Sequence, residues 1–274
     1  MSKDSIKMEL NNNQIERYSR QIVLKEIGGI GQKRLLKSKI TIIGLGGLGS
    51  TTAYYLAGAG IGNLKIIDFD YVDLSNIHRQ ILHFTKDINK KKTESAFEKL
   101  TSLNPDCNIE KIDGKIVPKN IESIIKNSDF VIDGSDNFST KMLINDACVK
   151  LKIPFTIAGA LRYHGQIITV VPKKKTTCYR CVFGNITEEA SGMSCSQAGV
   201  IGVIPGIMGS IEAFEAIKYL LDFGELLTNK ILFVDLLTNQ YNYINVFRDV
   251  ECLTCGDNSN INLMDSGSEI NDKC

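Results

Sequence analysis

The chain has 274 residues and a mass of 30.3 kDa, which suits one large domain or two small ones. Hydrophobic residues make up 43% and charged residues 23%, and this globular composition excludes a disordered or fibrous protein. Lys and Arg number 32 against 31 Asp and Glu, so the net charge of +1 gives no bulk attraction to nucleic acid or to an anionic membrane. We therefore expect no nucleic acid and no membrane as a partner, and any anion site has to be local.

No targeting segment is visible in the sequence. Residues 1–13 are polar and lack the apolar core that a signal peptide needs. The least charged stretch, Gln197–Ile211, contains several glycines and is shorter than the roughly 20 residues of a membrane span. The sequence therefore predicts a cytoplasmic protein. In that reducing compartment, its eight cysteines are expected to be metal ligands or catalytic thiols rather than disulfides.

Strands and helices alternate along most of the chain. Strands are predicted over Lys39–Ile43, Leu64–Asp68, Asn108–Ile112, Asp129–Asp133, Pro154–Ala158, Gly165–Val171, Lys230–Asp235 and Tyr241–Phe247. Helices are predicted over Gln14–Leu24, Gly31–Lys37, Thr51–Ala59, Lys90–Leu103, Asn120–Lys126, Lys141–Lys152 and Ile207–Leu221. This order predicts an α/β, Rossmann-like fold: a mostly parallel sheet with helices on both faces, to which the C-terminal half adds antiparallel strands.

We expect a single continuous domain over residues 14–256. The change of pattern near residue 155 is interpreted as a change of sheet direction, because no linker composition marks a boundary there. Residues 1–13 are predicted to be a flexible leader. Residues 257–274 are rich in Asn, Asp and Ser and are predicted to be a flexible tail.

A glycine loop joins the first predicted strand to a helix. Its glycines are Gly44, Gly46, Gly47 and Gly49, in a G-x-G-x-x-G pattern that lets backbone N–H groups approach a phosphate at a helix N-terminus. Asp68 ends the next strand, where an acid can hydrogen-bond a ribose hydroxyl. The alternative is a turn needed only for close packing of helix on strand. The loop predicts nucleotide binding but does not choose between NAD and ATP.

Charged and amide side chains follow the second predicted strand. They are Asp68, Asp70, Asn76, Arg79, Gln80 and Lys92. Cations beside a phosphate site favour phosphoryl or nucleotidyl transfer over hydride transfer, because charge spreads over phosphate oxygens and the leaving pyrophosphate. Ordinary ion pairs on a solvated loop remain the alternative, and spacing alone leaves Lys92 open between the two.

A second acidic loop follows the strand that ends at Asp133. A carboxylate at a strand end can hold Mg²⁺, which uses one or two protein carboxylates together with substrate phosphates. We assign that role to Asp136 and leave the role of Asp133 open. The alternative is that either residue caps the next helix.

The cysteines divide into two kinds. Two C-x-x-C pairs, Cys178 with Cys181 and Cys252 with Cys255, predict a closed four-thiolate zinc site, with a thioredoxin-like redox pair as the alternative. Cys195 lies apart in a small polar stretch, where an exposed thiol can act as a nucleophile or have no role.

Taken together, these motifs resemble the MoeB/ThiF/HesA family, bacterial relatives of ubiquitin-activating enzymes. The matching segments, in chain order, are Arg17–Gln21, the glycine loop, Asp68–Asp70, Leu74–Gln80, Lys92–Ser95, Asp133–Asn137 and both cysteine pairs. The resemblance covers about residues 14–256. It implies an adenylyltransferase that uses ATP and Mg²⁺ to activate the C-terminal Gly-Gly carboxylate of a small ubiquitin-like sulfur-carrier protein.

The resemblance also implies residue roles. The glycine loop and Asp68 would hold ATP, Asn76, Arg79 and Lys92 would contact its phosphates, and Asp136 would bind Mg²⁺. The chain would form a homodimer in which Arg20 reaches the partner subunit's active site. Cys195 would be the loop cysteine that can join the carrier covalently, and the four paired cysteines would bind zinc.

The sequence does not identify the carrier, and it leaves competing functions open. Thiamine-type and molybdopterin-type members share the catalytic motifs, so the carrier is not chosen. We expect sulfur to arrive from a separate donor protein. The competing functions are an NAD-dependent oxidoreductase using the same loop, and a non-catalytic, zinc-clipped module that binds partners.

Overall fold

The computed structural model describes residues 9–184 and 198–266. The strands are β1 (Lys39–Ile43), β2 (Asn63–Asp68), β3 (Asn108–Asp113), β4 (Phe130–Asp133), β5 (Phe155–Leu161), β6 (His164–Val170), β7 (Lys230–Asp235) and β8 (Gln240–Asn245). They form one sheet in the order β3-β2-β1-β4-β5-β6-β7-β8. The predicted fold is confirmed: β1 to β5 pair in parallel, and β6, β7 and β8 are added antiparallel.

Helices cover both faces of the sheet. In the described ranges they are α1 (Asn12–Arg17), α2 (Ser19–Ile22), α3 (Gly28–Lys37), α4 (Gly47–Gly58), α5 (Lys92–Leu103), α6 (Ile121–Ile125), α7 (Phe138–Leu151), α8 (Tyr179–Phe183), α9 (Val203–Leu221) and α10 (Leu263–Ser266). None of these helices is long and apolar enough to cross a bilayer.

The centre of the sheet determines where the functional cleft lies. Strand β1 pairs with β2 on one side and β4 on the other, and four of its five residues are buried. The chain order of the strands reverses at this point. Open parallel sheets bind ligands in the crevice at such a reversal, outside the carboxyl ends of the strands.

The first predicted helix is divided. Gln14–Leu24 becomes α1 and α2, because Tyr18 leaves helical geometry with φ −100° and ψ 11°. Tyr18 is 1% exposed, and its hydroxyl hydrogen-bonds Asp106 and Asn104. Burial of this ring and its distant polar contacts outweigh the local helical preference of the segment.

The change in sheet direction falls later than predicted. Strand β5 is still parallel to β4, and the reversal comes at Arg162 and Tyr163, between β5 and β6, rather than near residue 155. Arg162 adopts a positive φ of 53°, as tight hairpin turns require. The predicted hairpin across Thr238 and Asn239 is confirmed by the antiparallel pairing of β7 with β8.

The last described residues continue to pack on the domain. Leu263, in α10, is 4% exposed and belongs to the same apolar cluster as Phe155 and Ile144. The domain limits at residues 14 and 256 stay predictions.

Candidate active site and cysteine cluster

A cleft opens at the carboxyl ends of β1, β2, β4 and β5. The predicted site residues that line it are Gly44, Gly46, Gly47, Asp68, Asp70, Arg79, Gln80, Lys92 and Asp136. Residues that are scattered over more than 90 positions of the sequence therefore meet at one point. The structure brings them together because parallel strands end at the same edge of the sheet.

The glycine loop fills the turn between β1 and α4. Gly44 has φ +92°, and a Cβ there would lie 2.7 Å from the carbonyl oxygen of Gly134. A Cβ on Gly49 would lie 1.9 Å from the carbonyl oxygen of Gly44. Both positions therefore exclude a side chain, and Gly49 serves helix packing rather than lining the cleft. Helix α4 begins at Gly47, so its N-terminal N–H groups face the cleft.

Asp68 connects the end of β2 to the glycine loop. Its Oδ2 accepts a hydrogen bond from the Leu45 N–H at 2.7 Å, and its Oδ1 accepts one from the Asp70 N–H at 2.8 Å. Burial raises the pKa of Asp68, while the neighbouring Lys92 ammonium acts in the opposite direction. Each carboxylate oxygen keeps acceptor capacity for a hydroxyl in the cleft.

Lys92 is held in place rather than solvated. Its Nζ lies 2.8 Å from Oδ2 of Asp70, and its side chain is 6% exposed against 47% for Asp70. The alternative of a solvated surface lysine does not describe this geometry. A buried ammonium that lines the cleft and is braced from one side can offer its remaining donors to an anion.

Arg79 and Gln80 form another wall of the cleft. The Arg79 guanidinium donates to the Ser75 carbonyl oxygen at 2.9 Å, and the residue is half-buried. Gln80 is 4% exposed, and its Oε1 has no hydrogen-bond partner among the described residues. Buried amide atoms are nearly always paired, so an unpaired one in a cleft wall fits a site built for a polar ligand.

The acidic loop after β4 separates two aspartates. Asp133 is fully buried, and its oxygens accept from Lys141 Nζ at 2.7 Å and from the Ser135 N–H at 3.0 Å. Asp136 lines the cleft. Neither aspartate caps α7, because the Asn137 side chain does so by accepting from the Thr140 N–H at 2.9 Å.

Lys141 is a cleft residue that the sequence analysis missed. Its ammonium donates to Asp133 Oδ2, to the Ser135 carbonyl and to the Ala158 carbonyl, each at 2.7 Å. Three donors meet three acceptors, so the buried charge is satisfied. The only signal in the sequence is a lysine within the otherwise apolar face of a helix that follows a strand ending in Asp.

The chemistry of these groups fits nucleotide and Mg²⁺. Backbone N–H groups and two cations, Arg79 and Lys92, suit phosphates, and Asp68 suits a ribose hydroxyl. The carboxylate of Asp136 in the same cleft suits Mg²⁺, whose hard charge prefers oxygen ligands.

Besides Gly49, two predicted residues lie outside the cleft wall of this chain, and a further one cannot be placed. Arg20 is on α2 and exposed. Asn76 uses its side chain to cap the short helix Leu74–Asn76. Cys195 lies outside the described residues. The roles proposed for these three residues stay predictions.

The four paired cysteines meet beside α7, one helical turn beyond Lys141. All four sulfur atoms of Cys178, Cys181, Cys252 and Cys255 lie within 4.8 Å of one another. Cys178 Sγ is 3.8 Å from Cys181 Sγ and 3.7 Å from Cys252 Sγ. A zinc tetrahedron with Zn–S bonds of about 2.3 Å has sulfur–sulfur edges of about 3.8 Å. The donor set and its spacing fit zinc, and these separations exclude disulfide bonds.

The surroundings of the cluster support thiolate ligands. Asn145 Nδ2 lies 3.8 Å from Cys178 Sγ, and the Asp249 N–H donates to Cys181 Sγ at 3.4 Å. Arg180 and Thr254, one from each C-x-x-C segment, both donate to Asp146. These contacts hold the ligand-bearing segments in position from outside the cluster.

The fold and the cleft define an α/β nucleotide-binding protein with a separate four-cysteine centre. Residues 18–254 match the ThiF family, and the chain belongs to that family. The chain is 38% identical to the SAMP-activating enzyme E1 of Haloferax volcanii, over 91% of this chain and 92% of that protein. It is 39% identical to the sulfur carrier protein ThiS adenylyltransferase of Escherichia coli, over 90% of this chain and 97% of that protein. The crystal structure of E. coli MccB with ATP superposes with a TM-score of 0.78 at 26% identity, covering 90% of this chain and 75% of that one.

Proposed function

We propose that this chain uses ATP and Mg²⁺ to adenylate the C-terminal Gly-Gly carboxylate of a small ubiquitin-like sulfur-carrier protein. The carboxylate attacks the α-phosphate of ATP, a P–O bond forms, and the bond to pyrophosphate breaks. The products are an acyl-adenylate and pyrophosphate. A sulfur nucleophile from a separate donor protein then displaces AMP.

One observation carries this proposal. The glycine loop, Arg79, the braced Lys92 and Asp136 line a single cleft. A carboxylate is a weak nucleophile, so the rate has to come from positioning and from neutralising the charge on the phosphates and the departing pyrophosphate. Two cations, helix N–H groups and a carboxylate suited to Mg²⁺ supply that neutralisation.

Each residue has a place in the proposed reaction. Asp68 and the loop glycines bind the nucleoside and its phosphates, and Asp70 orients Lys92. Gln80 offers its unpaired amide oxygen to a donor on the ligand. Mg²⁺ held by Asp136 would neutralise phosphate charge. Zinc at the four cysteines would stabilise the fold, since a closed four-thiolate site has no position for substrate.

The names of the relatives support a protein carrier. One is named for activating SAMP and the other for adenylating the sulfur carrier ThiS, and they are 38% and 39% identical to this chain. Since the two sequence identities are nearly equal, they do not choose one carrier. We therefore propose only the class of carrier: a ThiS-like or MoaD-like protein that ends in Gly-Gly, for thiamine or molybdopterin synthesis.

Further features of the proposal concern assembly. Arg20 is exposed on α2, where a homodimer would deliver it to the partner subunit's cleft. Cys195 would meet the activated carrier after adenylation, because the mixed anhydride forms without a thiol. We place the reaction in the cytoplasm.

The two competing functions leave parts of the site without a role. A hydride-transferring NAD enzyme has little use for Arg79, Lys92 and Asp136 beside the phosphates. A non-catalytic scaffold would not need a satisfied ion pair bracing Lys92 inside the cleft.

Exchange of labelled pyrophosphate into ATP tests the proposal. We expect exchange only when a carrier ending in Gly-Gly is present, because the acyl-adenylate has to form and revert. Carriers of the thiamine type and the molybdopterin type are assayed in parallel, each with a version that lacks the terminal glycines. Exchange with a truncated carrier, or with none, would contradict the proposal, and nicotinamide absorbance changes would favour the oxidoreductase.

Arg79→Ala provides the variant arm of this assay. Loss of a charge that acts on the transition state predicts exchange slower by about two orders of magnitude. Arg34→Ala is the matched control, because Arg34 is exposed on α3 and donates to the Leu221 carbonyl oxygen outside the cleft. Equal rates for the two variants would rule out the role assigned to Arg79.

A further inference from the structure

A buried chain of polar groups ends on the glycine loop without lining the cleft. His83 is 1% exposed and lies between Leu45, in the loop, and Ser95, in α5. Its Nε2 is 3.1 Å from the Leu45 carbonyl oxygen, and its Nδ1 is 2.9 Å from Ser95 Oγ. Ser95 Oγ lies 2.7 Å from Lys99 Nζ, which also pairs with the buried Asp87.

The chemistry of these groups determines the direction of every hydrogen bond. The Leu45 carbonyl can only accept, so His83 Nε2 carries the proton and donates. In the neutral ring, Nδ1 is then the acceptor, and the Ser95 hydroxyl donates to it. The lone pairs of Ser95 Oγ accept from Lys99, an ammonium that can only donate.

The neutral ring is also the stable one in this position. Burial lowers the pKa of His83 to about 4, although the hydrogen bond to the Leu45 carbonyl acts in the other direction. Lys92 and Lys99 add like charges that disfavour an imidazolium, while the Asp87 carboxylate acts in the opposite direction on this pKa. The neutral imidazole with its proton on Nε2 is therefore the form of His83 that faces the glycine loop.

The contacts of Leu45 hold its peptide groups on two sides. Its N–H donates to Asp68, and its carbonyl oxygen accepts from both His83 Nε2 and Ser50 Oγ, the latter at 3.1 Å. A trans peptide is planar, so its carbonyl and the next N–H point in opposite directions. With the Leu45 carbonyl turned toward His83, the Gly46 N–H points to the other side. Gly46 lines the cleft.

We propose that His83 is a positioning residue that orients the Leu45–Gly46 peptide so that the Gly46 N–H faces a bound nucleotide phosphate. This inference rests on the proposed function only in requiring that nucleotide binds at the glycine loop. Ser95 and Lys99 act through His83, by selecting its Nε2–H tautomer. If His83 only filled space in the core, a substitute would need a similar volume. It would not need a hydrogen-bond donor at the position of Nε2.

Two amide substitutions at His83 test whether its hydrogen-bond donor is needed or only its volume. In His83→Gln the amide nitrogen reaches the place of Nε2 and can donate to Leu45. In His83→Asn the shorter side chain reaches only the place of Nδ1. The measurement is the dissociation constant of a non-hydrolysable ATP analogue without carrier, with thermal unfolding recorded for each variant. We expect His83→Gln to bind within about threefold of the wild type and His83→Asn about tenfold more weakly, as a lost hydrogen bond to a buried carbonyl predicts.

His164→Gln is the matched control, because His164 faces Asp235 at 3.5 Å and does not line the cleft. We expect it to bind the analogue as the wild type does. Equal affinity of His83→Asn and His83→Gln would overturn the inference. Failure of the wild type to bind the analogue would overturn the proposed function, and this inference with it.

A third variant keeps the test decisive if His83→Asn does not fold. Ser95→Ala removes the donor to Nδ1 and leaves the contact with Leu45 possible. Nitrogen chemical shifts of labelled histidine report the tautomer, which we expect to be Nε2–H in the wild type and less completely so in Ser95→Ala, where the Leu45 carbonyl alone still selects it. Affinity for the analogue should fall about fivefold in that variant. An unchanged tautomer together with unchanged affinity would overturn the role of the polar chain.

Discussion

Two aspartates three positions apart differ in what surrounds them. Asp133 has both oxygens occupied by the ammonium of Lys141 and by Ser135, and it is fully buried. Asp136 lines the cleft. The same side chain therefore serves the core at one position and can serve a metal at the other, because burial and partners decide what a carboxylate is free to do.

The neutral state of His83 predicts that the stability of the protein depends on pH. Its pKa in the fold is about 4, against 6.5 in the unfolded chain. The unfolded state binds more protons between these values, so the contribution of His83 to stability is complete above pH 6.5 and is lost as the pH falls toward 4. The difference corresponds to about 3 kcal/mol.

The measurement compares chemical unfolding of the wild type and His83→Gln from pH 4 to 8. We expect the free energy of unfolding of the wild type to lose about 3 kcal/mol more than that of the variant over this interval. The comparison is between variants because buried carboxyls, such as Glu212 with its raised pKa, give slopes of the opposite sign. Parallel curves would show that His83 is not held neutral by the fold.

Helix α7 is the element that connects the cleft with the cysteine cluster. Lys141, near its start, donates to the loop after β4 and to β5. One turn later, Asn145 contacts Cys178, and the Asp146 carboxylate accepts hydrogen bonds from Arg180 and Thr254. Lys141 and Asn145 are four residues apart and lie on one face of the helix, so the two centres follow one another along α7.

Two lysines of α7 allow a matched test of burial. Lys141 is paired with Asp133 at 2.7 Å with a side chain 9% exposed, and Lys150 is paired with Glu122 at 2.6 Å with a side chain 42% exposed. Lys141→Met leaves Asp133 buried and uncompensated, and we expect it to lower the free energy of unfolding by about 3–5 kcal/mol. Lys150→Met should cost no more than about 1 kcal/mol.

Urea unfolding of both variants measures the difference. Similar small losses would mean that the buried pair of Lys141 with Asp133 contributes no more to stability than the exposed pair of Lys150 with Glu122. The double variant Lys141→Met with Asp133→Asn is the control, because it removes the uncompensated charge and should recover part of the lost stability.

At the scale of the whole molecule, the cysteine cluster joins two distant parts of the chain. Cys178 precedes α8, and Cys252 follows β8, 74 positions later in the sequence. Closing a chain segment of that length is worth roughly 4 kcal/mol by the entropy of a cross-link. The cluster therefore anchors the C-terminal segment to α7 and the main sheet.

Metal content and metal removal test this role. We expect one zinc per chain in protein purified without chelator, and a melting temperature about 10 °C lower after zinc is removed. At temperatures where the zinc-free protein is still folded, its affinity for the ATP analogue should be nearly unchanged, since the cysteines do not line the cleft. Absence of zinc in elemental analysis, or an unchanged melting temperature, would contradict a structural zinc site.

The secondary-structure elements and the chemistry of the loops could be inferred from the order of the residues. All eight predicted strands form, and the largest shift is at the end of β5, which runs to Leu161 instead of Ala158. The glycine loop, Asp68 and both cysteine pairs were visible because each depends on neighbouring residues and on short spacings. Strand periodicity and turn glycines are local properties, and local properties can be inferred from a sequence.

Which distant residues meet could be learned only from the three-dimensional fold. The strand order, the reversal at Arg162 and the break at Tyr18 depend on pairings and burial across the whole domain. The contact of His83 with Leu45 has no sequence pattern, and the pairing of Lys141 with Asp133 has only a weak one, because a buried polar group is recognised by its partners in space. Burial in three dimensions, rather than residue type, distinguishes the two buried lysines of the cleft, Lys92 and Lys141, from the lysines that are solvated.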